Sequence, residues 1–117
     1  YKDKLFKLYK NLTGKVPKYR EVLMELMICN HEFLYKIHDE SPYKVLSTVT
    51  YLSKDDNHGT TMYRSEEDDY SNPAKTVDWQ QNRCFVFAGQ KNKTWHAFGS
   101  NGKNTRITLN IFLTDGT

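Results

Sequence analysis

The sequence predicts a mainly β domain, a sandwich or jelly roll, that follows a short N-terminal helix. Short segments rich in β-branched and aromatic residues recur along the chain, and turns rich in Gly, Asn and Lys separate them. Many short strands joined by such turns are typical of antiparallel sandwiches and jelly rolls. A chain of 117 residues is expected to form one domain, residues 1–117. Its first residue is Tyr1 rather than Met, which is compatible with a trimmed N-terminus.

Two segments precede the clearest strands. Residues 2–12 place apolar side chains at helical spacing, and Gly14 and Pro17 follow them, so a helix is predicted there. The apolar positions of residues 20–30 fit a helix and a strand equally well. The β-rich sequence that follows favours a strand.

Strand signals dominate from residue 33 onward. Alternating apolar residues over 33–37 and a β-branched run over 44–53 predict two strands, with Pro42 between them. Further strands are predicted at 60–64, 75–79, 83–88, 94–98 and 105–113, with turns or loops at 54–59, 65–73, 89–93 and 99–104.

The last predicted strand has one apolar and one polar face, because side chains alternate along a strand. The apolar face carries Ile107, Leu109, Ile111 and Leu113, and the polar face carries Arg106, Thr108 and Asn110. In a jelly roll one face of each strand points between the sheets, where polar side chains are costly without a partner. We therefore expect the polar face to line a ligand cavity; the alternative is a face in water.

Composition narrows the possible functions. The formal net charge is +3 and the basic residues are scattered, whereas nucleic-acid binders usually show a basic stripe. No apolar run long enough for a membrane span and no signal peptide are visible, so a cytoplasmic protein is expected. Cys29 and Cys84 form no C-x-x-C pair, so two reduced and mostly buried thiols are expected.

Four polar residues have a spacing that suits metal and anion chemistry. His38 and Glu40 are two residues apart at a strand end, so both can project to one face. Two histidines, the second being His96, and one carboxylate can occupy three sites on an iron(II) ion and leave the others open. Arg106 can hold the far carboxylate of a dicarboxylic acid. Taken singly, these residues also have ordinary explanations: a chance pair, a packed imidazole and a surface cation.

Several segments resemble iron(II)- and 2-oxoglutarate-dependent oxygenases, especially their prolyl-hydroxylase-like and phage or bacterial members. The resemblance covers about residues 20–114. It rests on residues 37–44 (IHDESPYK), 45–52, 59–63 (GTTMY), 83–89 (RCFVFAG), 94–98 (TWHAF) and 106–108 (RIT). Those proteins carry a His-x-Asp/Glu motif, a distal histidine and an Arg-x-Ser/Thr motif in this order. The resemblance implies a double-stranded β-helix, or jelly roll, with a short N-terminal helix.

The same resemblance implies a metal site. His38, Glu40 and His96 would be the iron ligands and hence the catalytic centre. The family most often has Asp where this chain has Glu40. A shift of one residue would instead place Asp39 on the metal, although its side chain should point the other way.

The resemblance also implies a site for the cosubstrate 2-oxoglutarate. Arg106 would form a bidentate salt bridge with its distal carboxylate. Thr108 would add a hydroxyl to this carboxylate, and Tyr51 a phenolic hydrogen bond. Asn110 is a further candidate for lining the pocket.

The implied activity is that of a dioxygenase that uses iron(II), 2-oxoglutarate and dioxygen. It would hydroxylate an unidentified protein side chain, prolyl included, or a small molecule. The alternatives are a non-catalytic jelly-roll binding module, a nucleic-acid demethylase of the same fold and a zinc hydrolase. The weak net charge counts against nucleic acid, and a zinc hydrolase would leave Arg106 and Thr108 without a role. No membrane partner is expected, and the oligomeric state stays open.

Overall fold

Two antiparallel sheets form the body of the protein. The computed structural model describes residues 2–16, 21–39, 44–65, 72–91 and 93–114. The elements within these ranges are α1 (Lys2–Thr13), β1 (Glu21–Cys29), β2 (Glu32–Leu34), β3 (Lys44–Tyr51), β4 (Thr60–Tyr63), β5 (Lys75–Val77), β6 (Cys84–Ala88), β7 (Trp95–Asn101) and β8 (Arg106–Thr114). The larger sheet has the order β1-β8-β3-β6 and the smaller sheet the order β2-β7-β4-β5. The predicted jelly roll with a short N-terminal helix is confirmed.

The ambiguous segment at residues 20–30 is a strand, as predicted. β1 pairs with β8 along its whole length, from Glu21 opposite Thr114 to Cys29 opposite Arg106. Its outer edge pairs with no other described strand, and most of its side chains are exposed. The apolar spacing of β1 fits both a helix and a strand, and pairing with β8 stabilises the strand.

Two predicted boundaries in the smaller sheet are wrong. The strand predicted at 33–37 is regular only to Leu34, and the turn predicted at 99–104 begins with strand, because β7 continues to Asn101. The reason is tertiary pairing, since β2 lies opposite the last three residues of β7. Gly99 permits this contact, because a Cβ there would lie 2.6 Å from the carbonyl oxygen of Phe33. Turn propensity at 99–101 is therefore overridden by the partner strand.

Helix α1 covers part of the outer face of the larger sheet. Leu5 and Tyr9 are buried in one cluster with Leu46, Ile111 and Leu113. Full burial of such a side chain stabilises the fold by roughly 1.5–3 kcal/mol. The helix therefore holds β3 and β8 from outside and leaves their other face for the interior.

The two faces of β8 behave as the sequence predicts. Its apolar residues Ile111 and Leu113 belong to the helix-covered core. Its polar residues Arg106, Thr108 and Asn110 are buried and line a cavity between the sheets. The alternative of a polar face in water is thereby excluded.

The cysteine prediction is partly wrong. Both thiols are free, as expected, but Cys84 is exposed and Cys29 only half-buried. Cys84 begins β6, which is an edge strand of the larger sheet, so no neighbouring strand covers that side.

Candidate functional site

A cavity of about 310 Å³ lies between the sheets. Its lining consists of Glu25, Met27, Tyr35, His38, Lys44, Ser47, Val49, Thr60, Phe87, His96, Phe98, Arg106, Thr108, Asn110 and Phe112. Four of the predicted site residues are therefore brought together around one space: His38, His96, Arg106 and Thr108. Tyr51 does not line it.

The two histidines meet through a short piece of sheet pairing. His38 and His96 form an antiparallel bridge in which each backbone N–H donates to the other residue's carbonyl, at 3.0 and 2.8 Å. Their ring centroids are 4.3 Å apart. His96 is buried and His38 half-buried. Two imidazoles from distant parts of the chain thus reach one point of the cavity wall.

Each imidazole is oriented in the same way. Nδ1 of His38 lies 2.9 Å from the carbonyl oxygen of Lys36, and Nδ1 of His96 lies 2.8 Å from that of Thr94. A carbonyl oxygen only accepts hydrogen bonds, so Nδ1 is the protonated nitrogen in both rings. The lone pair is then on Nε2. A second hydrogen bond of this kind is typical of metal-ligating histidines, because it fixes the tautomer and the ring.

The predicted carboxylate ligand, Glu40, lies outside the described residues. Its neighbour Asp39 is described, and its Oδ1 accepts a hydrogen bond of 2.9 Å from the Thr94 hydroxyl. The described ranges contain no group of three or more His, Cys, Asp or Glu side chains arranged to hold a metal. Two neutral imidazoles fit iron(II) chemistry, and the predicted third ligand remains a prediction.

Arg106 is a buried cation beside the same cavity. It is 2% exposed, and its Nε donates to the carbonyl oxygen of His58 at 3.1 Å. Its guanidinium carbon lies 5.3 Å from the ring centroid of Trp79 and 5.1 Å from that of Phe98. Burial lowers the pKa of Arg106, although arginine stays charged in proteins. No carboxylate among the described residues pairs with it. Because an uncompensated buried charge is destabilising, a bound anion would stabilise this guanidinium.

Tyr51 takes a place behind the cavity wall. Its side chain is fully buried, stacks on Trp79 with centroids 4.5 Å apart, and donates a hydrogen bond of 3.0 Å to the Thr60 hydroxyl. Burial raises the pKa of Tyr51, against the opposing effects of the Thr60 hydrogen bond and the Arg106 charge, so the phenol is neutral at physiological pH. Thr60 itself lines the cavity.

Sequence reasoning missed Thr60 and Trp79. Thr60 stands between the Tyr51 hydroxyl and the cavity, and Trp79 contacts both Tyr51 and Arg106. The local signal for Thr60 is the glycine before it, Gly59, where a Cβ would clash with the carbonyl oxygen of Val77. Trp79 has no local signal, because its role depends on how β5 is placed against β3.

Three buried polar atoms of the cavity lining have no hydrogen-bond partner in the described part of the chain. They are Ser47 Oγ, Thr108 Oγ1 and Asn110 Oδ1. Buried polar groups are nearly always paired in native proteins, since an unpaired one costs about 1–3 kcal/mol. The cavity is therefore suited to a polar ligand.

Comparisons with solved structures show proteins of the same fold. No family model and no curated protein matches the sequence. Among solved structures, an oxidoreductase of the 2OG-Fe(II) oxygenase family from Burkholderia pseudomallei has a TM-score of 0.67 at 13% identity, over 95% of this chain and 52% of that one. A prolyl-4-hydroxylase from Pseudomonas putida has a TM-score of 0.65 at 17% identity, over 97% of this chain and 63% of that one.

A third solved structure is the viral collagen prolyl hydroxylase from Paramecium Bursaria Chlorella virus-1, in a 2OG complex. Its TM-score is 0.59 at 12% identity, over 98% of this chain and 71% of that one. The chain thus has the fold of the 2OG-Fe(II) oxygenases, and the predicted resemblance is confirmed at that level. It spans only about half the length of the Burkholderia protein. The described helix is too short and too polar to cross a membrane.

Proposed function

We propose that this chain is an iron(II)- and 2-oxoglutarate-dependent dioxygenase that hydroxylates a protein side chain. The observation that carries the proposal is a buried guanidinium, that of Arg106, which no described carboxylate pairs with and which lines one cavity together with two Nδ1-protonated histidines. A dicarboxylic oxoacid would satisfy the guanidinium at one end and a metal at the other.

His38 and His96 would hold the iron through Nε2, with Glu40 as the third ligand. When bound, iron(II) and 2-oxoglutarate supply the activation of dioxygen, the loss of carbon dioxide from the oxoacid and the oxidation of the substrate. Tyr35 packs edge-on against the His38 ring, with centroids 4.7 Å apart, and stacks on Phe98. These contacts hold the His38 ring in place before any ligand arrives.

Arg106 and Thr108 would bind the distal carboxylate of 2-oxoglutarate. The guanidinium supplies a bidentate donor pair, and the unpaired Thr108 hydroxyl supplies a third donor. Tyr51 would act through Thr60, because its hydroxyl lies 3.0 Å from Thr60 Oγ1 and Thr60 lines the cavity. Trp79 and Phe98 flank the guanidinium and keep water from it.

The proposed substrate class follows from the names of the solved relatives. Two of the similar structures are prolyl hydroxylases, one of them acting on collagen by its name. We propose a protein side chain, prolyl included, as the group that is hydroxylated.

Anaerobic titration with iron(II) and 2-oxoglutarate tests the proposal. The weak visible charge-transfer band of the iron–oxoacid chelate should appear with one equivalent of each. Admission of dioxygen should then convert 2-oxoglutarate to succinate, slowly even without substrate. Absence of oxoacid binding would contradict the proposal. Binding without succinate would identify a non-catalytic jelly-roll module instead.

A further inference from the structure

The amide of Asn110 carries a buried acceptor that faces the cavity. Asn110 is 8% exposed, and its Nδ2 donates to the Met27 sulfur at 3.1 Å. A thioether sulfur can accept a hydrogen bond but cannot donate one, so the amide NH2 is directed to Met27. The other end, Oδ1, is buried and has no partner among the described residues.

The cosubstrate cannot satisfy this oxygen. Asn110 Oδ1 only accepts hydrogen bonds, and 2-oxoglutarate at neutral pH is a dianion that also only accepts them. The other two unpaired groups are the hydroxyls of Ser47 and Thr108. Unlike the amide oxygen, a hydroxyl can donate a hydrogen bond to 2-oxoglutarate. Among the described residues and the cosubstrate, no group donates to Asn110 Oδ1, so an N–H or O–H group of the substrate is a fitting partner.

A glutamate lies across the strand pair from Asn110. Glu25 is directly opposite Asn110 in the β1–β8 register, and both line the cavity. Directly opposite residues have Cβ atoms about 4.5–5.5 Å apart. Glu25 makes no ion pair with any described residue, including the two cations of the lining, Lys44 and Arg106. Nζ of Lys44 lies 4.0 Å from the ring centroid of Phe112.

We propose that Glu25 and Asn110 bind a cationic nitrogen of the substrate, an ammonium or guanidinium group. The carboxylate and the amide oxygen are both acceptors, and a positively charged N–H group is the donor that matches the pair. This inference rests on the proposed dioxygenase function and narrows its substrate from protein side chains in general to lysyl- or arginyl-like ones.

Two matched probes test the charge of the substrate. Nα-acetyl-L-lysine methylamide and Nα-acetyl-L-norleucine methylamide differ in the terminal ammonium group, and Nα-acetyl-L-proline methylamide represents a prolyl substrate. Each is titrated calorimetrically into the full chain with iron(II) and 2-oxoglutarate under anaerobic conditions, and again into the metal-free chain. The lysine probe should bind at least about tenfold more tightly than the other two, which is the range of a charge-assisted hydrogen bond.

Variants on β1 and β8 separate the effect of charge from that of packing. Glu25→Gln should reduce the affinity for the lysine probe about tenfold and leave the norleucine probe unchanged. Glu21→Gln is the matched control, because Glu21 lies on the same face of β1 opposite Thr114 but does not line the cavity. Asn110→Leu should act like Glu25→Gln. Glu25 is exposed, so Glu25→Gln should fold normally. This variant therefore tests the inference even if Asn110→Leu, which changes a buried residue, does not fold.

The outcomes distinguish this inference from the proposed function. Normal binding of 2-oxoglutarate with equal affinity for all three probes, or with none for any, would overturn the inference alone and leave Asn110 Oδ1 as a solvated acceptor. Preference for the proline probe would overturn it in favour of a prolyl substrate. Failure of 2-oxoglutarate to bind would overturn the proposed function, and the probe preference of the metal-free chain would still decide the role of Glu25.

Discussion

At the scale of single residues, the most informative feature is a buried positive charge that no carboxylate in the described ranges pairs with. Arg106 is held by one backbone carbonyl and by two aromatic rings, and these contacts orient the guanidinium without neutralising it. Burying an unpaired charge costs free energy. Binding of an anion to the guanidinium would offset this cost.

Replacement of Arg106 tests this interpretation. Arg106→Ala should raise the Kd for 2-oxoglutarate at least about 30-fold, because loss of one partner of a buried, hydrogen-bonded charge pair costs roughly 2 kcal/mol or more. Iron binding should be unchanged. Both constants are measured by anaerobic titration.

Arg83→Ala provides the control for the loss of a positive charge. Arg83 is exposed and bonds only to Asp78 O and Gln80 Oε1 through its guanidinium. Its replacement should leave the 2-oxoglutarate affinity unchanged. An unaltered affinity in Arg106→Ala would refute the assigned role of Arg106.

At the scale of elements, β8 connects stability with function. Its apolar face packs under α1, while its polar face supplies three residues of the cavity lining. The position of the polar face therefore depends on the packing of the apolar one, because a slip of one residue would exchange the two faces.

Truncation of the apolar face should destabilise the fold. Leu113 is fully buried in the cluster with Leu5 and Tyr9, so Leu113→Ala should lower the free energy of unfolding by about 2–5 kcal/mol, as measured by urea denaturation. Leu26→Ala is the control, since Leu26 is 58% exposed on β1 and should change the free energy by no more than about 0.5 kcal/mol. Equal effects of both changes would show that α1 does not stabilise the sheet.

At the scale of the whole molecule, the site exists only because the two sheets face each other. The smaller sheet brings the two histidines together, and the larger sheet brings Arg106, Thr108 and Asn110. A ligand that contacts both sheets should therefore stabilise the entire domain against unfolding.

Iron(II) and 2-oxoglutarate together should raise the Tm under anaerobic conditions. At 100 times its Kd, a ligand that binds only the folded state contributes about 2.7 kcal/mol. His96→Ala should lose this stabilisation, because it removes one of the two imidazoles proposed to hold the iron. His31→Ala should keep it, because His31 is exposed and does not line the cavity. The same rise in Tm for both variants would contradict the metal site.

The sequence by itself determined the fold class, the strand character of residues 105–113 and the polar face that lines the cavity. These features depend on alternation and on local propensity, which a strand expresses whatever its neighbours are. Spacing and alternation also indicated His38, His96, Arg106 and Thr108, which the structure places around one cavity, and resemblance to a known family supplied the roles predicted for them.

Tertiary structure alone decided the rest. The end of β7 at Asn101, the pairing of β1 with β8 and the contacts of Trp79 with Tyr51 and Arg106 arise from pairing and packing between segments far apart in the chain. The same holds for the position of Glu25 opposite Asn110. No local sequence pattern specifies which residue of a neighbouring strand will lie directly opposite a given residue. Contacts of this kind depend on the register between strands. The register is fixed only when each face of a sheet packs against its neighbouring element or faces solvent.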